Sequence, residues 1–192
     1  MPDGQQEDLM TASLEQAAQG DAAAFAEIVS AHQAMVFSIA WHYLQDRSLA
    51  EDVAQEVFLE LYQNLTAIQS ASHLTYWLRR VSVHRCIDLA RRRTHRREQA
   101  MDGLPEPATQ NAIADPVLMA RLRETLDALP EKQRMVIILR YQEDLGPAEI
   151  AELLRMPVNT VKSTLHRSLD DLRRKLARKL ARKLGDLRYA IF

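Results

Sequence analysis

Residues 145–176 read LGPAEIAELLRMPVNTVKSTLHRSLDDLRRKL, and this stretch decides the fold. Gly146 and Pro147 open a short helix, because proline at a first helical position loses no hydrogen bond and already has helical φ. Ile150, Leu153 and Leu154 give that helix one apolar face. Pro157 cannot continue it without a kink and pushes Met156 out of the α region, so the chain must turn. Beyond the turn Val161, Leu165, Leu169, Leu172 and Leu176 recur at steps of three and four, the period of one face of a longer helix. A short helix, a tight turn and a long helix make a helix-turn-helix, whose second helix can enter the DNA major groove by its N-terminal end. Asn159, Thr160, Lys162, Ser163, His166 and Arg167 lie off the leucine stripe at that end, where they can reach base edges and phosphates. A helical hairpin with a solvated polar face would show the same pattern, so the rest of the chain has to decide.

The chain has 192 residues, room for one large domain or two small ones, and two is the expectation. Five glycines and seven prolines among abundant Ala, Leu, Glu, Arg and Gln point to an all-helical protein. The single Cys86 has no internal disulfide partner, and no Cys/His cluster has zinc-finger spacing, so no metal or other cofactor is expected. The acidic, polar N-terminus does not read as a signal peptide, and no apolar run is expected to approach a membrane span, so a soluble cytoplasmic protein is the expectation.

A net charge of −1 hides a strong asymmetry. Residues 1–64 hold eleven acids and one base, Arg47; residues 79–97 hold eight arginines against Asp88; residues 151–192 hold eleven bases and four acids. Two basic segments suggest two contacts with a polyanion, and the acidic portion suits a basic partner surface. Opposite charges on the two halves also allow them to touch in the free chain and mask DNA binding.

Taken in order, MPDGQQEDLM has no periodic pattern and reads as a loose lead-in. A short helix closes at Gly20, and Asp21 caps the next, whose stripe is Phe25, Ile28, Val29, His32, Val36, Ile39 and Tyr43. His32 on that stripe reads as a packing residue. Ser48 followed by Glu51 is a capping-box signature for a third helix. Val53, Val57, Phe58 and Leu61 point inward there, while Asp52, Glu56 and Glu60, joined by Gln55, form an acidic row on another side. Like charges four residues apart oppose a helix by a few tenths of a kcal/mol per pair, so a row without local compensation hints at a partner.

Residues 66–72 read as a polar loop and 73–97 as one long helix, with Leu74, Trp77, Leu78, Val81, Ile87 and Leu89 apolar and eight arginines around them. Arginine suits phosphate because its planar guanidinium makes paired, charge-assisted hydrogen bonds. Trp77 reads as core, and Tyr76 is open to either a packing or a base-stacking role. Residues 98–115, with Gly103, Pro105 and Pro107, read as a flexible linker. Asp115 and Pro116 start a helix with Leu118, Leu122, Leu126 and Leu129, and Pro130 precedes another carrying Met135, Val136, Ile138 and Leu139. The tail repeats Leu-Ala-Arg-Lys from Leu176 and Leu180 and is expected to stay helical as far as Gly185.

With these residues laid out, the chain resembles bacterial RNA polymerase sigma factors of the extracytoplasmic-function group. AEDVAQEVFLELY from Ala50 resembles their clamp-binding helix, and YWLRRVSVHRCIDLARRR from Tyr76 their promoter-melting and minus-ten-reading helix. The stretch from Leu129 to the end of the helix-turn-helix resembles their minus-thirty-five-reading domain. The resemblance implies an all-α protein of two small helical domains joined by the linker: 1–97 for clamp and minus-ten binding, 98–115 linking, 116–176 for minus-thirty-five binding, then a basic tail 177–192. It implies that Asp52, Gln55 and Glu56 dock on the clamp of core RNA polymerase. Arg80, His84, Arg85, Asp88, Arg91 and Arg92 would meet the minus-ten region, with the loop 66–72 available to an extruded base. Asn159, Thr160, Lys162, Ser163, His166 and Arg167 would read the minus-thirty-five element, while the preceding helices meet the polymerase flap and the linker follows the RNA exit path. An anti-sigma protein is a further implied partner; membrane insertion is not. His84, Arg155 and Asn159 depart from residues frequent in the family, Asn in the first case and Gly in the others. The competing readings are a conventional helix-turn-helix regulator that binds duplex DNA without polymerase, a helical adaptor, and an enzyme, for which no nucleotide loop or catalytic pattern is present.

Overall fold

A computed structural model describes residues 3–99, 125–126 and 128–189, with side chains described for 7–94, 125–126, 128–175 and 177–178. The described residues are helical, joined by turns and loops. The helices are α1 (Asp3–Ala18), α2 (Ala22–Leu44), α3 (Arg47–Gln63), α4 (Ala71–Gln99), α5 (Glu131–Tyr141), α6 (Pro147–Leu154) and α7 (Val158–Tyr189), with one 3-10 turn, Leu65–Ala67. The expected linker and most of the helix starting at Pro116 lie outside the described residues.

Local chemistry explains most boundaries. Gly20 takes φ +96°, which suits a residue without a Cβ, and Asp21 accepts from the backbone N–H groups of Ala23 and Ala24 at 2.8 and 3.2 Å to start α2. Four expectations are corrected. The lead-in belongs to α1, which starts at Asp3 and buries Leu14 and Ala17. Asp46, not Ser48, caps α3: its carboxylate accepts from the Leu49 N–H at 3.1 Å, and Glu51 pairs with Arg47 at 2.8 Å instead of closing a capping box. α7 runs through Gly185 to Tyr189, since one glycine costs a helix only about 1 kcal/mol and no proline follows to stop it. Residues 66–72 are also shorter as a loop than expected, because α4 begins at Ala71, with Ser70 Oγ accepting from the His73 N–H at 3.1 Å.

α2 is the hub of the N-terminal helices, and it packs on α1, α3 and α4. Ile28, Val36, Ile39 and Tyr43 on it are buried together with Val53, Val57 and Leu61 of α3 and Leu74, Leu78 and Val83 of α4. By length and composition α2 could cross a membrane, so the expectation of no such apolar run does not hold; in the fold its apolar stripe is spent on this core. His32 is half-buried, with Nδ1 3.0 Å from the Ile28 carbonyl oxygen, and Tyr76 and Trp77 pack partly buried against the core. The same buried cluster continues into Met135, Val136, Ile138 and Leu139 of α5, Ile150 and Leu153 of α6 and Val161 of α7. A smaller cluster joins Leu129, Ile137 and Leu172. Where the halves meet, this apolar cluster is joined, among the described residues, by the ion pair of Arg91 with Glu131.

Candidate nucleic-acid interface

The helix-turn-helix is α6, its turn and the start of α7. Gly146 caps α6 with its N–H donating to Glu149 Oε2 at 2.7 Å, and Pro147 follows at the first position. Arg155 ends α6 in the left-handed region at φ 50°, and the Met156 N–H donates back to the Ala151 carbonyl at 2.9 Å. The Pro157 carbonyl accepts from the Thr160 and Val161 N–H groups at 2.9 and 3.1 Å, which starts α7 at once. Val161 is fully buried and Leu165 and Leu169 half-buried, so rotation of α7 about its axis is set by apolar contact.

That rotation turns Asn159, Thr160, Lys162, His166 and Arg167 outward, all exposed. Ser163 is half-buried and donates its hydroxyl to the Thr160 carbonyl at 3.0 Å, which leaves its oxygen as an acceptor. His166 Nδ1 lies 3.2 Å from Asp170 Oδ2. The first three turns of α7 therefore present mixed donors and acceptors, a surface suited to base edges and phosphates.

The arginines of α4 are more engaged than their sequence suggests. Arg85 is half-buried and forks across to α3, meeting Glu56 at 3.1 Å and Glu60 at 2.6 Å. The hydrogen bonds it donates to Glu60, against some desolvation, hold its guanidinium charge more firmly than usual. This corrects the reading of the acidic row as uncompensated: Glu56 and Glu60 are neutralised from α4. Asp52 stands exposed, and among the described residues it has no ion pair. Arg91 meets Glu131 of α5 at 3.5 Å and Arg93 meets Asp46 at 3.7 Å. Arg80 and His84 are half-buried, while Asp88 and Arg92 are exposed.

Two exposed residues escape a reading of the sequence alone. Leu59 and Tyr62 of α3 are 61% and 55% exposed and follow Asp52, Gln55 and Glu56 at helical spacing on the outer face. Their signal is present, since both lie off the Val53-Val57-Phe58-Leu61 stripe. Tyr62 sets its ring edge-on to Phe25 with centroids 5.1 Å apart, which fixes its orientation. Cys86 is buried on the inner face of α4 and desolvation pushes its thiol up to about 12, so it is inert near neutral pH.

A helical fold with a helix-turn-helix, an arginine-lined helix and an acidic, partly apolar outer face on α3 has the architecture of a DNA-binding protein. Residues 28–96 match the family description Sigma-70 region 2, and residues 119–172 match Sigma-70, region 4. The chain is 31% identical over 180 residues to the ECF RNA polymerase sigma factor SigW of Bacillus subtilis, covering 85% of this chain and 94% of that protein. In fold it is similar to the sigma factor RpoE of Bartonella quintana in complex with the anti-sigma factor NepR, with TM-score 0.68, 18% identity, and coverage of 80% of this chain and 96% of that one. It is likewise similar to CnrH in complex with the cytosolic domain of CnrY, with TM-score 0.63, 24% identity, and coverage of 90% and 97%. The chain belongs to the extracytoplasmic-function RNA polymerase sigma factors, transcription initiation factors that bind core RNA polymerase and promoter DNA. The family is not a class of enzymes.

Proposed function

We propose that the chain acts as two tethered binding units, 1–97 and 116–176, joined by residues 98–115, without catalytic chemistry of its own. The exposed polar first turns of α7, held out by buried Val161, carry this reading. Asn159, Thr160, Lys162, His166 and Arg167 contact the minus-thirty-five element, with Ser163 as an acceptor. Arg80, His84, Asp88, Arg91 and Arg92 face the minus-ten region. Arg85 joins them by exchanging its carboxylates for phosphate. Asp52, Gln55 and Glu56 dock on the polymerase clamp, and Leu59 and Tyr62 add apolar area beside them, since charged rims steer association while buried apolar and aromatic groups supply most affinity. Tethering makes the second contact intramolecular, so two weak contacts become selective where polymerase sets their spacing. The work is done in the cytoplasm. An anti-sigma protein restrains the factor, a reading supported by the likeness in fold to RpoE, which is held in complex with the anti-sigma factor NepR.

Co-elution of the purified chain with core RNA polymerase tests the docking face. The unchanged protein is expected to co-elute, and Asp52→Lys combined with Leu59→Ala to be lost from the complex while keeping its circular dichroism. Retention of the double variant on polymerase would remove these residues from the docking face.

A further inference from the structure

Asn159, Lys162, His166, Asp170 and Arg173 follow one another at steps of three and four along α7. The row proposed to read the minus-thirty-five element therefore runs on past His166 into an acid and a base. An acid in that row is unexpected, because a carboxylate beside a DNA groove repels phosphate. Its partners account for it. Asp170 Oδ2 lies 3.2 Å from His166 Nδ1, one turn back, and Asp170 Oδ1 lies 3.6 Å from Arg173 Nη1, most of a turn ahead. The carboxylate is divided between two neighbours, and Arg173 offsets its charge. The His166 side chain is 80% exposed, so its ring is held at one edge and open at the other.

A neutral imidazole carries one proton, and the nitrogen that lacks it can only accept. An ionised carboxylate oxygen also only accepts, so the proton of neutral His166 belongs on Nδ1, where it meets Asp170, and Nε2 is left with a lone pair. In the major groove adenine N6 and cytosine N4 offer hydrogens to such an acceptor, whereas guanine and thymine present oxygen at the matching edge. We infer that Asp170 is a positioning residue for base reading: it orients the His166 ring, sets its tautomer and so selects adenine or cytosine where Nε2 meets a base edge. The inference rests on the placing of His166 against the minus-thirty-five element, made above. Without the carboxylate the ring turns freely and its proton is shared between the two nitrogens, which lets His166 meet guanine or thymine as a donor. Asp170 therefore adds selectivity while weakening the general attraction of α7 to phosphate.

The full chain bound to core RNA polymerase, presented with duplexes randomised across the minus-thirty-five element, tests the effect on DNA. The parent is expected to select adenine or cytosine at one position by about fivefold, the size of a single hydrogen bond. Asp170→Ala is expected to lose that preference while binding the pool as tightly as the parent or tighter, since a negative charge has gone. Asp170→Asn, whose amide oxygen still accepts from Nδ1, is expected to keep the preference. A role in helix stability alone would weaken binding to every duplex alike. Preference retained by Asp170→Ala at a position that His166→Ala flattens would overturn the inference and leave the placing of His166 intact. A pattern indifferent to His166→Ala would overturn that placing, and the inference with it. Ring nitrogen chemical shifts of the free chain in mildly alkaline solution, with His166 assigned by its loss in His166→Ala, give a readout without DNA or polymerase. Hydrogen on Nδ1 in the parent and a mixture of tautomers in Asp170→Ala are expected; hydrogen on Nε2 in the parent would overturn the inference.

Discussion

Arg155 is a residue whose cost can be read from one dihedral. It closes α6 at φ 50°, where a Cβ crowds the carbonyl, and its side chain is exposed. Arg155→Gly is expected to raise stability by about 0.5–1 kcal/mol, the relief of strain exceeding the added chain entropy of glycine, read as a shifted urea midpoint with unchanged slope. Glu143 is the second case. Burial pushes its carboxyl above the ordinary glutamate range, with the Ser38 hydrogen bond and nearby Arg79 opposing only in part. A raised carboxyl keeps its proton longer in the folded chain, so its unfavourable ionisation develops as pH rises from the ordinary value through the raised one. Glu143→Gln is therefore expected to match the parent in stability at acid pH and to exceed it once pH passes that window. Urea midpoints of the two proteins across the acid range check the sign; a parent that gained on the variant with rising pH would refute it. Neither residue is legible in this role from sequence, because Arg155 stands out there only as a departure from glycine and Glu143 has no periodic context.

At the scale of the helix, caps and faces divide cleanly. Sequence alone sets the cap of α3 two residues late because Ser48 and Glu51 fit a capping box, while the chain geometry puts Asp46 at the capping position. Asp46→Ala is expected to cost about 1 kcal/mol and Ser48→Ala much less, a contrast that thermal unfolding of the two variants resolves. No such ambiguity arises in α7, where the leucine stripe alone predicts which side chains face outward. There Arg167→Ala is expected to weaken minus-thirty-five binding by about 1–3 kcal/mol if the guanidinium makes a bidentate base contact, measured with matched and mismatched duplexes; an equal loss on both would assign it to phosphate. The acidic row of α3 is visible as a pattern, yet its partner on α4 is not, since Arg85 reaches Glu56 and Glu60 across more than twenty residues of chain.

At the scale of the molecule, the charge asymmetry sets how the protein meets a polyanion. If about six phosphates are neutralised in the polymerase complex, promoter affinity should fall with salt at a log–log slope near −5, and a slope near zero in a salt titration would exclude a phosphate-dominated contact. The amino-acid sequence by itself determined the all-helical class, the helix-turn-helix, the outward polar row of α7 and the family, because each follows from periodicity, proline and glycine positions or short motifs within a few turns of chain. Only the tertiary structure shows that Arg85 neutralises Glu56 and Glu60, that Leu59 and Tyr62 stand exposed beside Asp52, and that α5 packs on α2 and α4, helices distant from it in sequence. The reason is physical: local pattern states which face of a helix is apolar, whereas which surface covers that face depends on contacts between residues that the chain brings together only when it folds.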